Sequence, residues 1–134
     1  MSDFARSVTV DIADASPATL TMNYARLTGG QWEETPKPGS TITPGGEVTY
    51  VNGVESNYDP LGGQVVLTPA SGGMITIKWD WTFGSGVSGG VTTDSLSGLA
   101  VSYQWINTQS NNPTLQLTVS ADTAAELIRS SAKV

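Results

Sequence analysis

The chain contains 134 residues, with 12 Asp and Glu against six Lys and Arg, a formal net charge of −6, and neither cysteine nor histidine. This acidic balance argues against electrostatic binding to nucleic acid and against docking on anionic lipid through basic side chains. The lack of cysteine excludes disulfides and thiolate metal sites, and the lack of histidine removes the commonest general base and metal ligand. We therefore expect a protein that is not an enzyme and that needs no cofactor or metal.

The N-terminal sequence MSDFARSVTV has no basic region followed by a long apolar run, as a secretory signal would have. No apolar segment approaches the roughly 20 residues that a membrane-spanning helix needs. We therefore expect a soluble protein that is made without a classical signal peptide and is released or secreted by another route. A chain of this length is near the usual size of one domain, so we expect residues 1–134 to form a single domain.

Short segments in which apolar and polar residues alternate recur between turn signals, a pattern typical of an all-β sandwich or barrel. We expect a single antiparallel β-sandwich of about eight or nine strands. In the second strand, alternation puts Leu20, Met22 and Tyr24 on one face. In chain order, the main expected strands cover residues 8–12, 20–24, 31–34, 47–51, 64–68, 74–83, 99–106 and 115–119.

Turn signals separate these strands. The segments DASPA at residues 14–18 and TPGG at residues 43–46 are rich in turn formers, and Asn52-Gly53 is a typical sequence for a two-residue type I′ hairpin turn. The glycine-rich run GSGVSGG, residues 84–90, is expected to be a flexible loop. Thr123 and Glu126 have the spacing of a capping box, so a short C-terminal helix is expected after the last strand.

The segment MITIKWDWTFGSG, residues 74–86, ends a predicted strand with three aromatic side chains. Strict alternation puts Trp79, Trp81 and Phe83 on one face. Trp79 follows Ile77 on that face, which favours the core. Trp81 and Phe83 directly precede the glycine-rich run, so we expect them at the rim of the fold. There, an apolar ring with a polar tip suits a membrane interface or a sugar face.

Two loop-rich stretches contribute further candidates. Trp32 lies in RLTGGQWEETPKPG and is expected to be at least half exposed; Glu33 beside it belongs either to a solvated face or to a contact with an ammonium group. Tyr58 and Asp59 lie in VESNYDPLGG, which is either a structural loop or, together with the glycine-rich run, one concave edge of the fold. The sequence does not place these two loops next to each other.

The order of several segments resembles the aegerolysin family. These segments are ITPG at residues 42–45, GVESNYDPLGGQVVL at 53–67 and WDWTFGS at 79–85. The segments VTVDI at residues 8–12 and RLTGGQWEE at 26–34 also resemble the small component of binary bacterial insecticidal toxins, which belongs to the same group. The likeness covers roughly residues 7–120, and the tail from Ala121 lies outside it. Trp81 and Thr82 stand where the family commonly has Cys and Pro, and Phe83 replaces a Trp.

The resemblance implies a small acidic β-sandwich without enzymatic activity that recognises a membrane lipid, often a sphingolipid headgroup, or a receptor. It also implies a larger partner protein that forms the pore, so that the two together act as a cytolysin at the target-cell membrane, in some cases an insecticidal one. We expect Glu33 and Lys78 to contact the headgroup. The other candidate contacts are Trp32, Tyr58, Asp59, Trp79, Trp81 and Phe83.

Three other functions fit the same residues. Aromatic side chains at a rim also stack on sugar rings, so a carbohydrate-binding module or lectin is the main alternative. A structural or assembly protein would show neither activity, and the sequence leaves a homo-oligomer open. A hydrolase that uses only carboxylates would need two acids facing one cleft, and Glu33-Glu34 is the only adjacent pair of acids in the sequence.

Overall fold

A computed structural model describes residues 4–56, 58–82 and 84–122 of the chain. Within these ranges the chain forms ten β-strands, two of which, β3 and β4, contain only two residues. The strands are β1 (Arg6–Ala15), β2 (Leu20–Gly29), β3 (Gln31–Trp32), β4 (Thr41–Ile42), β5 (Glu47–Val54), β6 (Leu61–Pro69), β7 (Met74–Trp81), β8 (Ser88–Asp94), β9 (Leu99–Ile106) and β10 (Thr114–Ala121). The helix expected near Thr123 lies outside the described residues, as does Phe83.

The strands form two five-stranded sheets that pack face to face. Sheet A has the strand order β3-β5-β1-β10-β9, and sheet B has the order β4-β2-β6-β7-β8. The pair β1 and β10 is parallel, with Val10 opposite Leu115, whereas the other described pairs are antiparallel. The prediction of an all-β sandwich is therefore confirmed, although the described residues contain ten strands and not eight or nine.

The core lies between the two sheets and is built by alternation along each strand. Val10 and Ile12 of β1 and Ile75 and Ile77 of β7 are fully buried, as the sequence pattern predicts. Removing these branched side chains from water supplies the main stabilisation, about 1.5–3 kcal/mol for each large apolar residue. No helix within the described ranges has the length and apolar character to cross a membrane.

The second strand departs from strict alternation because it contains a β-bulge. Met22 lies opposite Leu67, but Tyr24 lies opposite Val66, so Asn23 is an extra residue on β2. An extra residue reverses the face of every side chain that follows it. Tyr24 is therefore 41% exposed, and its hydroxyl accepts a hydrogen bond from Gln64 Nε2 at 2.9 Å. The prediction that Tyr24 shares the inner face was wrong.

Asn52 and Gly53 lie inside β5 and do not form the predicted hairpin turn. Asn52 has no exposed surface. Its Nδ2 donates to the carbonyl oxygens of Gly29 at 3.1 Å and Gln31 at 3.2 Å, and its Oδ1 accepts from Trp79 Nε1 at 2.9 Å. One buried amide thus ties β5 to the turn between β2 and β3 and to the opposite sheet.

The end of the glycine-rich run is a strand and not a loop. Residues Ser88–Asp94 form β8, which pairs with β7 along its length. The glycines leave room for aromatic side chains of β9, because a Cβ on Gly90 would lie 2.5 Å from the Tyr103 hydroxyl. Trp105 Nε1 also donates to the carbonyl oxygen of Gly89 at 3.1 Å. These contacts close the side of the sandwich where β8 and β9 are the edge strands.

Replacing Asn52 by alanine should lower the free energy of unfolding by about 2–4 kcal/mol, because it leaves the Trp79 indole and two backbone carbonyls without their hydrogen-bond partner in the core. The measurement is urea denaturation followed by tryptophan emission. Asn112→Ala is the matched control: it removes one amide that donates to Ser7 Oγ at 2.8 Å, and it should cost only about 1 kcal/mol. Equal losses in the two variants would contradict the role of Asn52.

Candidate functional site

Two of the loops that contain candidate residues leave the same end of the sandwich. β1 begins there at Arg6, which pairs with Val54 at the end of β5. β7 ends there at Trp81, which pairs with Leu61 at the start of β6. We call this region the Trp81 end; it comprises Arg6, Trp81, the β5–β6 loop and the β7–β8 loop.

Arg6 is the buried residue that organises the Trp81 end. Its side chain is only 5% exposed, and its Cζ lies 4.5 Å from the centroid of the Trp81 ring, so that the cation stacks on the indole. Its Nη2 donates a hydrogen bond to the backbone carbonyl of Asp59. Its Nε is buried and has no hydrogen-bond partner within residues 4–56, 58–82 and 84–122. The guanidinium thus fixes the β5–β6 loop against the end of β7.

Trp81 is buried beneath Arg6 and not exposed at the rim as predicted; only 8% of its surface is accessible. The prediction failed because the indole lies on the inner face opposite Leu61 and is covered by the guanidinium. Its Nε1 donates to the carbonyl oxygen of Ser85 at 3.2 Å. Trp81 therefore contacts the β7–β8 loop while Arg6 contacts the β5–β6 loop. The structure thus brings together the two loops that the sequence could not place side by side.

The β5–β6 loop presents Tyr58 to solvent. Tyr58 is 70% exposed, the highest value for a large hydrophobic residue among those described. Its backbone N–H donates to Ser56 Oγ at 3.2 Å, and the neighbouring Asp59 is held through its carbonyl by Arg6. The Asp59 side chain is also exposed. An exposed phenol ring and an exposed carboxylate therefore follow each other along a loop whose backbone is anchored.

Two other predicted contacts, Trp79 and Trp32, belong to an aromatic cluster in the core. Trp79 is 2% exposed and so has almost no surface for a ligand. Trp32 is half-buried, and its ring packs edge-to-face on Trp79 at 6.0 Å and on Tyr50 at 6.3 Å between centroids. Such arrangements are favoured for aromatic pairs beyond the area that they bury. Only the outer part of Trp32 reaches solvent.

Of the remaining predicted residues, Glu33 and Lys78 lie outside the two loops of the Trp81 end, and Phe83 lies outside the described residues. The backbone N–H of Glu33 donates to the Val51 carbonyl at 2.9 Å, beside Trp32. Lys78 is exposed on the outer face of sheet B, opposite Gln64 of β6. In the described part of the chain, no three Asp or Glu side chains come together in a way that could hold a metal ion.

Sequence reasoning missed Arg6 and Asn52, the two buried polar side chains that shape this region. A signal for Arg6 was present, because alternation backward from Val10 and Val8 places it on the inner face of β1. No comparable signal exists for Asn52, since Asn-Gly within a chain more often marks a turn. Its partners come from residues distant in sequence.

No family model matches the sequence, and none of the curated proteins matches it. Several solved structures share the fold. The lipid-binding protein Nakanori superimposes with a TM-score of 0.69 and 11% sequence identity, over 85% of this chain and 70% of its own. IP-1A from Alcaligenes faecalis gives a TM-score of 0.71 and 15% identity, over 90% of this chain and 94% of its own. At these identities, the likeness establishes a common β-sandwich fold.

Replacing Arg6 by alanine should lower the free energy of unfolding by about 2–3 kcal/mol, because the Asp59 carbonyl and the Trp81 ring both lose their partner. Chemical denaturation measures this change. The control is Lys37→Ala, which removes an exposed cation and should change stability by less than about 0.5 kcal/mol. An Arg6→Ala variant as stable as the native protein would show that burying the guanidinium costs as much as its contacts contribute.

Burial raises the pKa of the Tyr50 phenol above its ordinary value of 10.0, and a hydrogen bond with the Ser40 side chain offsets part of that rise. The folded protein therefore holds this proton more tightly than the unfolded chain does. The contribution of the protonated Tyr50 phenol to stability is complete below pH 10.0, and it is lost as the pH rises through the pKa of the folded state. Tyr50→Phe should show a shallower loss of stability above pH 10.0 than the native protein. Urea midpoints at a series of pH values test this prediction. Below pH 10.0 the two proteins should show the same pH dependence, which is the internal control.

Proposed function

We propose that this protein is a membrane-binding protein of the aegerolysin type, without enzymatic activity, that contacts lipid with its Trp81 end. The observation that carries the proposal is Tyr58, a 70% exposed aromatic side chain on a loop anchored by Arg6. The fold shared with the lipid-binding protein Nakanori supports it. So does the segment order that resembles aegerolysins.

The physical role of Tyr58 is insertion at the membrane interface. A phenol ring has an apolar body and a polar tip, and such side chains concentrate at the headgroup level of bilayers. Because the loop backbone is held before binding, less conformational entropy is lost when the ring inserts. The net charge of −6 disfavours anionic lipid, so the proposed target is a zwitterionic surface. The carboxylate of Asp59 beside Tyr58 suits the ammonium group of such a headgroup.

We further propose a sphingolipid as the preferred lipid and a larger partner protein as the pore former, as the aegerolysin resemblance implies. In this arrangement, the protein supplies membrane recognition and the partner supplies the membrane-crossing strands. The resemblance to the small component of binary toxins makes insect cells the first target to examine. The chain alone should therefore bind vesicles without releasing their contents.

The test is co-sedimentation with vesicles of phosphatidylcholine, sphingomyelin and cholesterol. Tyr58→Ala should weaken binding about tenfold, because the ring no longer leaves water for the interface. The matched control is Met74→Ala, since Met74 is 41% exposed at the start of β7, the end of that strand opposite Trp81. Equal binding by Tyr58→Ala and the native protein would refute the site. Release of a trapped dye by the chain alone would refute the two-component arrangement.

A spectroscopic reporter makes the same test independent of pelleting. The four tryptophans are buried or half-buried, so their emission should change little when vesicles are added. A Tyr58→Trp variant places an indole at the exposed position, and its emission should shift to the blue on vesicles that contain sphingomyelin. If the variant pellets with the vesicles while its tryptophan emission stays unshifted, another surface of the protein binds the lipid.

A further inference from the structure

The outer face of sheet B contains a polar groove that the proposed membrane contact does not use. Adjacent strands place Arg26 opposite Gln64 and Gln64 opposite Lys78, so the three side chains form one row across β2, β6 and β7. Asp80 lies two residues beyond Lys78 and shares its face. Together with Thr28, these side chains line a groove of about 380 Å³. That volume is within the usual range for small-molecule sites.

A glycine keeps one end of this groove open. Gly62 lies opposite Asp80 in the pairing of β6 with β7. A Cβ at Gly62 would lie 2.6 Å from Thr28 Oγ1 and 3.2 Å from Asp80 Oδ1. The side-chain oxygens of Thr28 on β2 and Asp80 on β7 therefore both lie close to Gly62, which has no side chain to separate them. The groove thus has two acceptor oxygens at this end and two cations along the adjoining row.

Ion pairs with the described residues do not explain the presence of the two cations. The chain contains only six Lys and Arg, yet Arg26 and Lys78 lie on one face with a single strand between them. At the usual strand spacing their Cα atoms are ~10 Å apart, so both side chains can reach one small ligand. No ion pair involving either cation is found in the described part of the chain. Placing like charges near each other on an exposed sheet does not favour folding.

The combination of cations and hydrogen-bond acceptors in the groove indicates the chemical class of its ligand. An Arg guanidinium pairs with a carboxylate through two parallel hydrogen bonds, and Lys adds a point charge. Gln64 donates its amide N–H to Tyr24, which leaves its oxygen to accept. Asp80, Gln64 and Thr28 are then acceptors suited to hydroxyl groups. A fully charged phosphate would be repelled by the carboxylate of Asp80. A hydroxylated ring with one carboxylate can instead place its carboxylate on the two cations and its hydroxyl groups on the acceptors.

We propose that this groove is a binding site for an acidic saccharide, with the sugar carboxylate on Arg26 and Lys78 and the ring hydroxyls on Asp80, Gln64 and Thr28. The site differs from the sugar site that the sequence suggested, because none of its polar contacts comes from an aromatic side chain of the rim. It is also separate from Tyr58, which lies on the β5–β6 loop. The proposal therefore does not depend on membrane binding.

The experiment is a titration of the ¹⁵N-labelled protein with methyl glucuronide, followed by amide chemical shifts, with methyl glucoside as the neutral counterpart. Saturable shifts are expected at Arg26, Gln64 and Lys78, and the glucoside should bind at least about tenfold more weakly. Arg26→Gln and Lys78→Gln should each weaken glucuronide binding about tenfold. Lys37→Gln makes the same charge change at an exposed site outside the groove and should leave binding unchanged.

Several results would overturn the proposal. These are equal binding of glucuronide and glucoside, equal losses in Lys78→Gln and Lys37→Gln, or no saturable shift up to about 20 mM. Inorganic phosphate that displaces the glucuronide with equal affinity would show a site for any anion and refute the saccharide assignment. Tyr58→Ala should keep glucuronide binding, and Arg26→Gln should keep vesicle binding, so failure of one proposal is distinguishable from failure of the other.

Discussion

The fold depends on the buried hydrogen bond from Trp79 to Asn52, because this bond crosses between the two sheets. Apolar burial holds the faces of a sandwich together but is non-directional, so it does not by itself fix how one sheet is placed on the other. A hydrogen bond shielded from water does, since sliding the sheets would leave an amide and an indole unpaired. Through its other two bonds, Asn52 also holds the turn from which β3 places Trp32 against Trp79.

Arg6 applies the same principle at the Trp81 end, with a cation in place of an amide. The guanidinium is buried without a carboxylate partner among the described residues, which is unfavourable unless other contacts compensate. Here a ring face and a backbone carbonyl supply them. The consequence is an anchored base for the exposed Tyr58, so that one face of the loop is held by the core while the other faces solvent. The proposed lipid contact therefore needs few residues of its own, because Arg6 already anchors the loop that carries Tyr58.

The sequence pattern was sufficient for the strands whose side chains alternate strictly, such as β1 and β10, and therefore for the fold class. It failed where one residue changes the register, as at Asn23, since a bulge has no local signature that distinguishes it from continued alternation. It failed again at Trp81, because the residue that covers this ring, Arg6, is distant in sequence. Of the candidate contacts, Tyr58 and Asp59 could be found from their loop, whereas the placement of Arg26 and Lys78 in one row across β6 required the order of strands.

The parallel pairing of β1 with β10 has a kinetic consequence. Sheet B is made entirely from residues between Leu20 and Asp94, whereas sheet A joins Thr9 to Thr114 in its centre. During synthesis, sheet B can assemble while the chain is still growing, but β1 must wait for β10 before its second edge is covered. Contacts between such distant segments slow folding and leave an unpaired strand edge in the nascent chain. The interval between the emergence of β1 and that of β10 covers the synthesis of all the strands between them. It is therefore when the protein is most open to aggregation.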